Sequence, residues 1–168
     1  MRLGRWLRQL LLPPWWARLA ASRRTLAAIE EAIARAEPSH DGRIRFAIET
    51  ASPSACLLRR VCARTRALEV FSTLRVWDTE RNNGVLIYLS WAERAIEIVA
   101  DRGLADRVRQ SEWQAVCRLL EGYYREGRFR EGSVAGIEAV GRLLARHFPR
   151  GAVAGPSPSP SPAQGALL

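Results

Sequence analysis

An α/β fold built on a small mixed sheet follows from three observations on this 168-residue chain. Arg43 to Thr50 alternates apolar and polar residues, Val85 to Trp91 is an apolar run free of proline, and Ala95 to Asp101 alternates again. Between the first two lies a helical segment long enough to cross over, which predicts a parallel, right-handed βαβ unit. Ala92-Glu93-Arg94 is a short turn between the second and third, which predicts an antiparallel hairpin.

The helices follow from apolar spacing and end signals. Helix one is predicted over Arg24–Glu37, with Leu26, Ile29 and Ile33 on one face and Pro38 closing it; His40-Asp41-Gly42 turns the chain into the first strand. Ser52 as cap and Pro53 in the first turn open the crossover helix. Its apolar side is Leu57, Leu58, Val61, Leu68, Phe71 and Leu74, and it ends near Arg75. After the hairpin, Leu104 to Arg109 forms a helical turn, and Ser111-Glu112-Trp113-Gln114 has the pattern of a capping box. Trp113, Val116, Leu120 and Tyr123 line the helix it opens, and Gly127 stops it. The last helix, Phe129 to Phe148, turns Ile137, Val140, Leu144 and Phe148 inward, with Gly132, Gly136 and Gly141 allowing close packing.

Charge is unevenly placed. The chain carries +9, but residues 1–24 hold six arginines and no acid, whereas residues 25–149 hold 19 arginines against all 17 acids. A nearly balanced body with a short basic arm and no reading-head motif argues against nucleic acid as a partner. Every basic residue is arginine, a pattern that GC-rich codon usage produces without any selection for guanidinium chemistry. Three parts result: an Arg/Trp/Leu-rich extension over 1–24, an α/β domain over 25–149, and a Pro/Ser-rich tail over 150–168, expected to be extended and disordered.

The extension has two readings. Its apolar run is far shorter than the roughly 20 residues needed to span a bilayer, and it lacks the apolar stretch and cleavage site of a secretory signal. Leu3, Trp6, Leu7, Leu10 and Leu11 have helical spacing and can pack on the domain or a partner. Alternatively, Arg2, Arg5, Trp6, Arg8, Trp15 and Trp16 can contact an anionic membrane surface, with the aromatic rings among the headgroups. A cytoplasmic protein, peripheral on the inner membrane, is the expectation. Cys56, Cys62 and Cys117 show no metal-ligand spacing and are expected to be reduced, structural thiols.

Chemistry is expected on the loops flanking the hairpin. Its geometry brings WDTERNN, entering the second strand, beside ADRG, leaving the third, so Asp78, Glu80, Asn82, Asn83, Asp101 and Arg102 meet at one end of the sheet. Asp78 and Asp101, with an amide oxygen of Asn82 or Asn83, a loop carbonyl and Glu49 from the end of the first strand, form a candidate shell for Ca2+ or Mg2+. No organic cofactor is called for. The competing reading is a solvated loop in which Asp78 caps a turn and Asp101-Arg102 pair locally. His40 and His147 are expected to be partly exposed structural residues outside any catalytic set.

Three stretches, HDGRIRFAIE, FSTLRVWDTERNNGVLIYLSWAERAIEIVADRG and GRFREGSVAGIEAVGRLLARHFP, together resemble the TPM domain family in its short bacterial branch, over about Thr25 to Pro149. The resemblance implies a three-layer α/β/α sandwich. It also implies a range of roles: accessory proteins of membrane complexes, divalent-cation binders and weak acid phosphatases. The family's acid or amide before Gly-Val-Leu corresponds to Asn82-Asn83-Gly84, and its glycine-rich turn to Asp101-Arg102-Gly103; Arg43 stands where many relatives carry an acid. The expected function is a non-catalytic accessory or interaction domain whose partner is a membrane-associated protein. The alternative is a metal-dependent phosphatase in which Arg102 offsets developing charge and Asp78 or Glu80 acts as base.

Overall fold

The computed structural model describes residues 22–50, 63–91, 93–151 and 165–167. Ser22 caps α1 (Arg23–Ala36) by accepting the Thr25 N–H on its hydroxyl oxygen, and Ile29, Ala32 and Ile33 form the buried stripe. A 3-10 turn with Pro38 follows, then β1 (Arg43–Glu49), α2 (Ala63–Thr73), β2 (Gly84–Ser90) and β3 (Ala95–Ala100). A second 3-10 turn (Arg102–Leu104) leads to α3 (Gln110–Arg125) and α4 (Phe129–His147). The start of the crossover, with Ser52, Pro53, Leu57, Leu58 and Val61, lies outside the described residues, as do the N-terminal extension, Cys56 and Cys62.

The sheet runs β3-β2-β1-β4, with β1 and β2 parallel from Arg43↔Gly84 to Glu49↔Ser90 and β2 and β3 antiparallel from Val85↔Ala100 to Ser90↔Ala95. The edge strand β4 (Gly165–Leu167) lies parallel to β1 opposite Phe46–Ile48. At those three residues the expectation of a disordered tail is therefore amended: an extended segment satisfies the main-chain hydrogen-bonding groups along the β1 edge.

Strand alternation divides the core into two layers. Ile44, Phe46, Ile48, Val85, Ile87, Leu89, Ile96 and Ile98 face α1, α3 and α4, while Ala47, Leu86, Tyr88 and Val99 face α2. The result is an α/β/α sandwich. On α2 the buried stripe is Ala63, Ala67, Val70 and Phe71, and Leu68, expected inside, is exposed. One residue beyond Ala67 is about 100° around the helix, which turns Leu68 to solvent. Two arginines fasten α2 to the sheet: Arg66 pairs with Glu49 of β1, and Arg64 bonds the Ile98 carbonyl at 2.7 Å with Glu97 at 3.6 Å. Burial raises the Glu97 carboxyl above the usual carboxylate range despite Arg64.

The start of α3 differs in detail from the sequence reading. The helix begins at Gln110, and Glu112 takes the Arg109 N–H at 2.9 Å, so the reciprocal half of a capping box is present without Ser111 as the cap. The glycines of α4 serve helix–helix contact: a Cβ at Gly136 would lie 2.5 Å from the Leu120 side chain of α3, and one at Gly141 would lie 3.0 Å from Ala36 of α1. Cys117 is a free thiol in this layer, and burial pushes it up to about 12, which keeps it unreactive.

Candidate functional site

Strand direction decides which loops meet. Because β1 and β2 are parallel, their first residues lie together, and the antiparallel β3 ends at the same place, where the Asp101 N–H reaches the Gly84 carbonyl at 2.9 Å. The rim of the sheet is thus made of His40–Gly42, Trp77–Asn83 and Asp101–Gly103.

The loop before β2 is a wound, hydrogen-bonded turn. The Asp78 N–H bonds the Arg75 carbonyl at 3.1 Å, Asn82 N–H the Thr79 carbonyl at 3.2 Å, and Asn83 N–H the Thr79 hydroxyl at 3.0 Å. Asn82 takes a left-handed backbone (φ 50°), which asparagine tolerates better than most residues. Its carbonyl then receives the Gly103 N–H at 2.9 Å, tying the two loops together. Asp101 Oδ1 accepts the Arg102 N–H at 2.7 Å and so caps the 3-10 turn.

Three polar groups remain unsatisfied inside this frame. Asn83 is 1% exposed, and both its amide oxygen and its amide nitrogen are buried without a hydrogen-bond partner among the described residues. Asp101 Oδ2 is buried and unpartnered as well. So is His40 Nε2, whose ring is held by Nδ1 donating to the Gly42 carbonyl at 3.0 Å. Burial lowers the His40 pKa, the largest of several effects on it, which favours a neutral ring with a free lone pair on Nε2. Leaving such groups unpaired costs about 1–3 kcal/mol each, and groups of this kind take ordered water or an ion as their partner.

The expected residues are only partly brought together. Asn82, Asn83 and Asp101 stand at the rim. Asp78 is also there, but it is exposed, and Glu80 is exposed beside it. Glu49 does not reach the rim. It ends β1 opposite Ser90, at the far end of the sheet, where its buried carboxylate is held by Arg66 and Tyr88. The parallel pairing requires this, since the carboxyl ends of parallel strands lie together. His40 corrects a second expectation, being buried rather than partly exposed. Among the described residues no group of three His, Cys, Asp or Glu is placed to hold a metal ion. A hard cation would therefore rest on Asp101 Oδ2, the Asn83 amide oxygen, main-chain carbonyls and water.

Other rim residues were not singled out beforehand. Asp41 pairs with Arg81 at 3.3 Å, and the guanidinium of Arg81 lies over the Phe148 ring at 5.1 Å from its centre. Trp77 is 50% exposed, one of two large exposed apolar side chains among the described residues. The signal for the first cluster was available: HDGR precedes β1, so in a parallel pair it had to flank NNG.

A three-layer α/β/α sandwich with this strand order and an oxygen-rich rim defines the class. A family profile of the TPM domain matches residues 21–143, and the chain belongs to that family. It is also similar to the NMR structure of the BA42 protein from the psychrophilic bacterium Bizionia argentinensis, with a TM-score of 0.74 and 28% identity over 88% of this chain and 94% of that one. No curated protein matches. Among the described residues no helix is long and apolar enough to cross a membrane, and Arg2, Arg5, Trp6, Arg8, Trp15 and Trp16 lie outside them.

Proposed function

We propose that this TPM domain is a non-catalytic interaction module that docks a membrane-associated protein through its rim and takes one divalent cation, Ca2+ or Mg2+, there. The carrying observation is the pair of buried, unpartnered oxygens on Asn83 and Asp101. Asp101 and Asn83 would hold the ion, whose charge would stiffen the loops that present the contact surface. The Asn83 amide nitrogen needs an acceptor that the ion does not supply, a role suited to an ion-bound water. Half-exposed Trp77 beside Asp78 supports the docking part, because aromatic side chains anchor protein interfaces out of proportion to their number.

Titration of the full chain with Ca2+ and Mg2+, followed by backbone amide NMR, is expected to give saturable shifts over residues 78–84 and 101–103. Asp101→Ala should weaken the response at least about tenfold, as loss of a charged ligand does. Shifts that are absent, or spread evenly over the acidic surface, would remove the cation from the reading. A metal-dependent phosphatase is the second reading, favoured by exposed Arg102 at the mouth of the same rim. A bound cation would polarise the phosphoryl oxygen there, with Arg102 balancing charge and Asp78 or Glu80 taking a proton. Adding a generic phosphoester to the same titration decides it: turnover lost in Asp78→Ala supports hydrolysis, and no turnover with either metal counts against it.

Peripheral attachment to an anionic inner-membrane surface through the basic Arg/Trp arm belongs to the same proposal. Vesicle flotation of the full chain is expected to fall sharply when Trp6, Trp15 and Trp16 are replaced by serine. Unchanged flotation would assign those residues to packing instead.

A further inference from the structure

A second polar feature lies away from the Asn83/Asp101 cluster. Between the start of α3 and the end of α4 is a cavity of about 430 Å³ lined by Arg107, Arg109, Ser111, Glu112, Arg146 and His147. Three guanidiniums face one carboxylate, a surplus of two positive charges. That carboxylate is already engaged twice: one oxygen accepts the Arg109 N–H at 2.9 Å and the other the Arg146 guanidinium at 3.0 Å. Arg107 is fixed without an acid, stacked over Phe148 at 4.8 Å and donating to the His147 carbonyl at 3.2 Å. Arg109 enters no ion pair among the described residues.

We infer that this cavity is a binding site for a phosphoryl dianion, the terminal phosphate of either a soluble phosphomonoester or a phosphomonoester lipid headgroup. Charge supports a dianion over a carboxylate, because a single negative charge would leave one of the two surplus charges unmatched. Guanidiniums give planar, paired N–H donors suited to phosphate oxygens, and here two of the three are held in place before any ligand arrives. The Ser111 hydroxyl adds a donor. The 16-residue α3 begins at Gln110, so the N–H groups of its first turn and its positive dipole end lie at the cavity wall. His147 contributes an imidazole whose Nε2 is buried without a partner among the described residues. Arg81 and Arg107 share the Phe148 ring, so the cavity adjoins the rim without using its oxygen ligands.

The test is titration of the isotope-labelled full chain with inorganic phosphate at constant ionic strength, observing amide and arginine side-chain signals. Saturable shifts are expected at Gln110, Ser111 and Glu112 and at the Nε–H groups of Arg107, Arg109 and Arg146. Arg109→Ala should weaken binding about tenfold or more, and Arg109→Lys should restore part of it. Arg109 carries no ion pair that the fold needs, so an unchanged melting temperature should accompany the loss. A response that does not saturate, that sodium chloride reproduces, or that Arg109→Ala leaves intact would overturn the site. In a second arm, vesicles containing phosphatidic acid, a phosphomonoester lipid, and vesicles of phosphatidylcholine alone are compared for wild type and Arg109→Ala. Phosphatidic acid binding lost in the variant assigns the phosphoryl group to lipid. Unchanged vesicle binding alongside weakened phosphate binding assigns it to a soluble phosphomonoester.

Discussion

Gly84→Ala is expected to destabilise the domain by about 3 kcal/mol or more, or to prevent folding, because overpacking against main chain has no cheap relaxation. A Cβ at this position would lie 1.9 Å from the Val76 carbonyl oxygen and 2.8 Å from its carbon. Neither neighbour can yield easily. Val76 is fully buried with its N–H bonded to the Phe71 carbonyl at 3.1 Å, and Gly84 itself is paired with Arg43 and accepts the Asp101 N–H. The close approach is what folds the loop back against the start of β2, so the variant should also lose the rim geometry. Urea denaturation of the full chain measures the first effect. A midpoint matching wild type would mean that the loop and strand do not approach in this way.

Glu49→Ala is expected to cost about 2–3 kcal/mol, less than the 3–5 kcal/mol of breaking a fully buried pair because Arg66 is partly exposed and can recover some hydration. The carboxylate is buried, and Arg66 grips it through Nε at 3.0 Å and Nη2 at 3.0 Å, while the Tyr88 hydroxyl donates to the second oxygen. The side-chain hydrogen bond to Glu49 is the largest effect raising the Arg66 pKa. Burial, then the bond to Glu49, raises the Tyr88 phenol well above its usual range, so it stays a neutral donor. Removing the acid leaves a guanidinium and a phenol without their common acceptor at the end of α2. Combining Glu49→Ala with Arg66→Ala should cost less than the sum of the two single changes, and additive effects would show that the pair contributes nothing. Cation binding at the rim should be unaffected by Glu49→Ala if the variant is folded, since the two lie at opposite ends of the sheet.

Glu49 also shows where one-dimensional reading ran out. As the last residue of an alternating strand it offered a carboxylate near a loop, and nothing local says which end of the sheet that loop occupies. The parallel pairing answers this: the Trp91 N–H bonds the Glu49 carbonyl at 2.8 Å, beyond the far end of β2. The same rule brings His40 and Asp41 to the rim, although the short turn before β1 gave no sign of burial. Trp77 and Leu68 were equally invisible, because exposure of an apolar side chain depends on what packs over it.

The sequence by itself determined the elements: alternation marked β1 and β3, an unbroken apolar run marked β2, Gly127 with its positive φ ended α3, and apolar spacing named the buried faces of α1 and α4. It also placed Asn83 and Asp101 together, since a tight hairpin leaves its flanking loops no choice. Only the tertiary structure decided which of the polar residues share a site. Periodicity is a property of neighbours along the chain, whereas the sorting of Glu49 away from Asp101, of His40 toward Asn83, and of Arg107, Arg109 and Arg146 into one cavity depends on strand direction and helix packing across residues far apart in sequence.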